Sequence, residues 1–203
     1  MKLVLATRNE QKLAELRRIL APLVGAEVVG LADVPPYDEM PETGETFADN
    51  ALLKARDAVR HTGLPAVADD SGLAVDALNG MPGVLSARWA GHAAGDAANL
   101  RLVLEQTADV PDARRGAVFV CAAALVTPDG REHVVEGRLA GVLRREPRGT
   151  NGFGYDPIFQ PEGESRTTAE MDPAEKDAIS HRGRAFRALA PLVAESLGSA
   201  TDR

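Results

Sequence analysis

The sequence predicts an α/β fold, with helices on either side of a mixed sheet. Short apolar runs alternate with helical periodicities along the chain, and the chain opens on a strand that leads straight into a capped helix. Two long runs joined through Pro128-Asp129-Gly130 read as a hairpin, which makes the sheet mixed.

The elements follow in order. Leu3 to Ala6 is a short apolar strand. Next comes a helix carrying Leu13, Leu16, Leu20 and Leu23, spaced three, four and three apart, with Asn9 as its N-cap. A second helix runs from about Thr46 to His61, placing Phe47, Ala51, Ala55 and Ala58 on one face and stopping at Gly63. Pro65 to Ala68 reads as a short buried strand, with Asp69-Asp70-Ser71-Gly72 turning at its carboxyl end. A third helix begins near Asp96, a good N-cap, and carries Leu100, Val103 and Leu104. The hairpin runs are Ala117 to Thr127 and His133 to Leu143. Asp172-Pro173-Ala174-Glu175 starts a helix, with a cap, a proline at the first helical position and an acid at the third. Ser180 can cap a last helix, whose stripe is Ala185, Phe186, Leu189, Val193 and Leu197 and which Pro191 should kink.

The composition narrows the function. The chain has 203 residues, a length that favours one domain, either simple or two-lobed. Its 44% hydrophobic and 26% charged residues are ordinary for a globular protein. Aromatics are only 4%, so Ala, Val and Leu must build the core. A formal charge of −7 rules out a generally basic surface for coating nucleic acid, and leaves room for a local basic pocket. The single cysteine, Cys121, can form neither an intrachain disulfide nor a Cys-rich zinc site. No apolar run is long enough to span a membrane, and the opening run is too short for a signal peptide. A cytoplasmic setting is the expectation.

Four segments concentrate polar residues beside tight turns. In Thr7-Arg8-Asn9-Glu10-Gln11-Lys12 a strand end meets a helix start; exposed N–H groups and the positive helix end suit a phosphate, with Lys12 as a point charge. It lacks the glycines of a P-loop, and taken alone it also describes a capped helix with an exposed lysine. Pro41-Glu42-Thr43-Gly44 leads into a helix on which Asn50 and Lys54, four apart, share a face, either for one ligand or as a solvated stripe. The adjacent carboxylates Asp69 and Asp70 are costly unless a cation or donors neutralise them, which suits Mg²⁺; a turn satisfied by Asp and Ser is the other reading. In Gly152-Phe153-Gly154-Tyr155-Asp156-Pro157 two glycines flank an aromatic, allowing close backbone approach while a ring stacks on a flat ligand. Lys176, His181 and Arg182 add a small positive group to an acidic protein, which suggests an anion site.

Taken together, Thr7-Arg8-Asn9…Lys12, Pro41-Glu42-Thr43-Gly44…Phe47…Asn50-Ala51…Lys54-Ala55, Ala68-Asp69-Asp70-Ser71-Gly72-Leu73, Pro82-Gly83…Ser86-Ala87-Arg88, Gly152-Phe153-Gly154-Tyr155-Asp156-Pro157-Ile158-Phe159 and Glu175-Lys176…Ser180-His181-Arg182-Gly183 resemble the inosine triphosphate pyrophosphatase family. The resemblance covers nearly the whole chain, in order. It implies a two-lobed domain over 1–203 with a long mixed sheet, a nucleotide cleft between the lobes, and a homodimer. It implies hydrolysis of (d)ITP and XTP to the monophosphate and pyrophosphate, with no nucleic-acid or membrane partner. By the same resemblance Asp70 is the catalytic acid–base and, with Glu42 and Asp69, binds Mg²⁺. Thr7, Arg8, Asn9, Glu10, Gln11, Lys12 and Lys54 would hold the triphosphate, and Ser71 would touch substrate. Phe153, Gly154, Tyr155, Asp156, Lys176, His181 and Arg182 match the base-binding positions. Arg8 stands where many members have glycine, and Pro41 where some have a second glutamate. Two other readings compete with this one. The first is a Maf-like pyrophosphatase of modified pyrimidine nucleotides, against which His181-Arg182 speaks. The second is a nucleotide-binding module without catalysis, which would gain nothing from Asp69 and Asp70.

Overall fold

Six strands order as β2-β1-β3-β4-β5-β6 in one sheet of the computed structural model, which describes residues 2–38 and 40–198. These are β1 (Lys2–Leu5), β2 (Glu27–Gly30), β3 (Ala66–Val75), β4 (Gly116–Val126), β5 (Glu132–Leu143) and β6 (Phe159–Pro161). β1 runs parallel to β2 and β3, whereas β6 lies antiparallel to β5, so the sheet is mixed. The turn of the β4–β5 hairpin closes where the Thr127 N–H donates to the Arg131 carbonyl at 3.0 Å.

The helices are α1 (Glu10–Leu20), α2 (Phe47–Thr62), α3 (Asp96–Gln106), α4 (Pro173–Ile179) and α5 (His181–Gly198). Their ends follow local chemistry. Asn9 caps α1, accepting from the Lys12 N–H; Thr46 and Asp49 form a capping box on α2, which stops at Gly63 in the left-handed region. Asp172 and Glu175 do the same for α4. α5 continues through Pro191.

The chain divides into two compact units, one of 1–70, 121–137 and 182–203, the other of 71–120 and 138–181. In the first, strand alternation separates two cores. Leu3, Leu5, Val67, Cys121, Ala123 and Leu125 pack with Leu16, Leu20, Phe186, Leu189 and Val193 of α1 and α5. Val4, Ala6, Ala66, Ala68, Ala122 and Ala124 pack with Ala51, Ala55 and Ala58 of α2. The second unit has its own core of Leu73, Val75, Val103, Phe119, Leu139, Tyr155, Ile158 and Phe159.

Three expectations change. Leu23 lies beyond α1 and is 47% exposed, because Pro22 has no N–H to continue the ladder. Gly95, not Asp96, occupies the cap of α3; Asp96 is its first residue, and its carboxylate accepts from the Gly154 N–H at 2.8 Å instead. The expected turn at Asp69-Asp70-Ser71-Gly72 is absent, since β3 runs through it to Val75. Leu73 and Val75 are fully buried, and keeping them in the sheet outweighs the turn preference of Asp, Ser and Gly. β2 and β6, four and three residues long, are too short to carry a periodic signal.

Candidate active site

Because β3 does not turn at Asp69, its two neighbouring carboxylates point to opposite faces. Asp69 faces α1 and α5. Its Oδ2 lies 3.1 Å from Lys12 Nζ and accepts from Arg182 Nε at 3.3 Å; Arg182 Nη1 donates to Glu15 Oε2. All four groups are inside or nearly so, with Arg182 2% exposed. Burial opposes the Arg182 charge, but Asp69 and Glu15 outweigh it and hold the guanidinium above the ordinary arginine value.

Asp70 faces α2, where Asn50 and Lys54 share one face as their spacing predicts. Asn50 Nδ2 donates to Asp70 Oδ2 at 3.0 Å, and Asn50 Oδ1 accepts from the Gly44 N–H at 2.8 Å. Lys54 Nζ lies 2.8 Å from Glu42 Oε1 and 3.7 Å from Asp70 Oδ1. One lysine thus brings the two carboxylates together. Burial pushes the Asp70 carboxyl above the usual aspartate range; Lys54 and Lys12 work against that, and Glu42 adds to it. Burial alone would lower Lys54, but Asp70, Asp69 and Glu42 together leave it above the ordinary lysine value.

The opening segment forms a polar rim on the first unit. Thr7 Oγ1 accepts from the Asn9 N–H at 3.2 Å, Arg8 Nη2 donates to the Tyr37 carbonyl at 2.8 Å, and Glu10 and Gln11 are exposed in the first turn of α1.

The second unit holds the other group. Asp156, 2% exposed, accepts from the Phe153 N–H at 2.8 Å, from Thr168 Oγ1 at 2.8 Å and from Lys176 Nζ at 2.6 Å. Lys176 Nζ also sits 5.0 Å from the centre of the Phe153 ring. Tyr155 OH donates to the Ser86 carbonyl at 2.8 Å, so Tyr155 holds the loop from below. His181 is buried with its ring stacked on Phe119 at 4.8 Å, and Ser71 is half-buried in β3.

A model described as the Ham1 family matches residues 3–192 of this sequence. The chain belongs to the Ham1 family. A curated relative from Mycobacteroides abscessus, named dITP/XTP pyrophosphatase, is 63% identical over 195 residues, which is 95% of each chain. A crystal structure titled nucleoside-triphosphatase / dITP/XTP pyrophosphatase from Mycobacterium abscessus is 64% identical, with a TM-score of 0.77 over 94% of this chain and 100% of that one. The structure of a HAM1 protein from Coxiella burnetii is 45% identical, with a TM-score of 0.85 over 96% and 99%.

Three contacts of this Ham1 chain are not legible in the sequence. Glu15 is 167 residues from Arg182; the available signal is a carboxylate one turn beyond Lys12, next to the apolar stripe of α1. Asn50 shared a face with Lys54, but nothing local pointed it at Asp70. Asp96 has the chemistry of a cap, and nothing local to it signals its hold on the Gly154 N–H. Among the described residues no helix is long and apolar enough to cross a membrane.

Proposed function

We propose that this protein hydrolyses non-standard purine nucleoside triphosphates (ITP, dITP and XTP) to the monophosphate and pyrophosphate, removing deaminated purines from the nucleotide pool. The observation that carries this is the Asp70 arrangement: a buried carboxylate, fixed by an asparagine, sharing a lysine with Glu42. The names of the relatives at 60% identity and above support the substrate class.

Among the described residues no three His, Cys, Asp or Glu side chains gather into a ready cation cage. Two carboxylates beside a lysine are instead a donor set for Mg²⁺, which takes one or two and leaves its other positions to waters and phosphates. Asp70 and Glu42 would hold it; Asp69, on the far face of β3, serves better as the counter-charge that fixes Lys12. When bound, Mg²⁺ supplies phosphoryl polarisation and charge balance. Asp70, oriented by Asn50 Nδ2, accepts the proton of the attacking water. Lys12 and Lys54 balance the charge that develops on the departing pyrophosphate, with Thr7 to Gln11 contributing N–H groups and side chains around the phosphates.

The base is read by Phe153, His181 and Arg182. Phe153 supplies a stacking face, and Asp156 and Lys176 hold that loop in place. Purines with a keto O6 present an acceptor where adenine presents a donor, so donors from His181 and Arg182 favour hypoxanthine and xanthine. Arg182 Nε and Nη1 are committed to Asp69 and Glu15, which hold the guanidinium in a fixed orientation. The same reading has the two units act as one domain, in a cytoplasmic homodimer that sedimentation would reveal.

A panel of ITP, dITP, XTP, GTP, ATP and dTTP with Mg²⁺, scored for pyrophosphate against orthophosphate, tests the function. Expected is pyrophosphate release from the first three at rates about 10²-fold or more above ATP. Orthophosphate release, equal rates, or a preference for dTTP would overturn it.

A further inference from the structure

Away from Asp70, the second unit gathers four arginines around a cavity of about 280 Å³, in a chain whose formal charge is −7. Arg115, Arg144, Arg145 and Arg148 line it with Asp112 and Glu146, so the lining carries more positive charge than negative. Two of the arginines are fixed in place. Arg115, 3% exposed, donates to the carbonyls of Leu143 at 2.9 Å, Thr107 at 2.5 Å and Arg144 at 3.2 Å. Arg145 lies 2.7 Å from Asp112 Oδ1 and donates to the carbonyls of Ala108 and Val110, both at 3.0 Å. Burial and then the nearness of Arg145 pull Arg115 below the ordinary arginine value.

The other two are less committed. The Arg144 guanidinium donates to the neutral Gln160 Oε1 at 3.0 Å, and among the described residues neither it nor Arg148 has a carboxylate partner. Like charges gathered this closely are unfavourable unless something anionic completes them. Planar N–H forks match phosphate oxygens in pairs, which a single lysine cannot do. The cavity is small and the chain as a whole acidic, so it suits a small ion rather than a polyanion.

We propose that this cavity binds a small phosphate-bearing anion, inorganic or nucleotide-borne, gripped by Arg144 and Arg148 against the fixed charge of Arg115 and Arg145. The proposal is independent of the function assigned to Asp70, whose lysines belong to the first unit.

Calorimetric titration of the full chain with inorganic phosphate, pyrophosphate and AMP tests it, using Lys12→Gln/Lys54→Gln to remove the other phosphate-binding charges. That variant is expected to keep one site per chain, which added Arg144→Gln and Arg148→Gln weaken by about tenfold or more. Tighter binding of AMP than of phosphate assigns the nucleotide-borne ligand, and the reverse assigns the inorganic ion; either supports the site. Loss of all binding in the folded lysine variant, or binding indifferent to the two arginine changes, overturns it. Should the lysine variant not fold, Arg144 and Arg148 Nε–H resonances of the wild-type chain must shift on titration with pyrophosphate, and static resonances overturn the proposal equally.

Discussion

Asp69 and Asp70 are chain neighbours with different work because a strand sends successive side chains to opposite faces. Asp69 sits in a buried cluster with Lys12, Arg182 and Glu15, whereas Asp70 meets Asn50 and Lys54. Asp70→Asn keeps an oxygen for Asn50 to donate to, and Lys54 retains Glu42, so the fold should survive. Turnover of ITP should fall about 10²–10⁴-fold, the usual reach of a lost general base, while calorimetry shows the nucleotide still bound. Near wild-type rates would remove Asp70 from the chemistry. Arg182→Ala does something else, leaving Glu15 and Asp69 buried without that partner. Denaturant unfolding should show a loss of about 3–5 kcal/mol, the cost typical of breaking a buried pair. A surviving folded fraction should also discriminate less between ITP and ATP.

At the scale of elements, the loop before β6 is set by one buried carboxylate. Asp156 holds the Phe153 N–H and Lys176 together, and Gly152 is where the backbone passes it, with φ +73°. A Cβ there would run into Asp156 Oδ2, whereas one added at Gly154, at φ +60°, would meet nothing within 4 Å. Gly154→Ala should therefore cost only the left-handed backbone, about 1–2 kcal/mol. Gly152→Ala should cost more and raise the KM for ITP, because the carboxylate must leave Lys176. Urea midpoints and kinetics of the two variants side by side check this; equal effects would mean that the contact with Asp156 is immaterial.

Across the whole molecule, alkaline pH should expose a weak point. Burial and then Asp96 push the Tyr155 phenol well above its ordinary value. The unfolded chain releases this proton near pH 10, and the folded chain does not. Stability from this group is therefore intact below that pH and declines as pH rises beyond it. Tyr155→Phe should be less stable at neutral pH by about 1 kcal/mol, for the lost bond to Ser86, and should lose less on going above pH 10. Parallel unfolding slopes for the two proteins would refute this.

What the residues determine by themselves is whatever depends on near neighbours. Asn9, Thr46 with Asp49, and Asp172 with Glu175 start helices because a side chain reaches the third N–H beyond it. The order of the motifs is enough to place the chain in its family, and Asn50 and Lys54 share a face by helical spacing alone. Tertiary structure decided the rest. Only packing around Leu73 and Val75 keeps β3 straight through a sequence that favours a turn, and that separates Asp69 from Asp70. Only the fold brings Glu15 to Arg182, or Arg115 to Arg144 and Arg148. Caps and periods act over one or two turns, while charges far apart in the chain meet according to which elements the buried apolar faces force together.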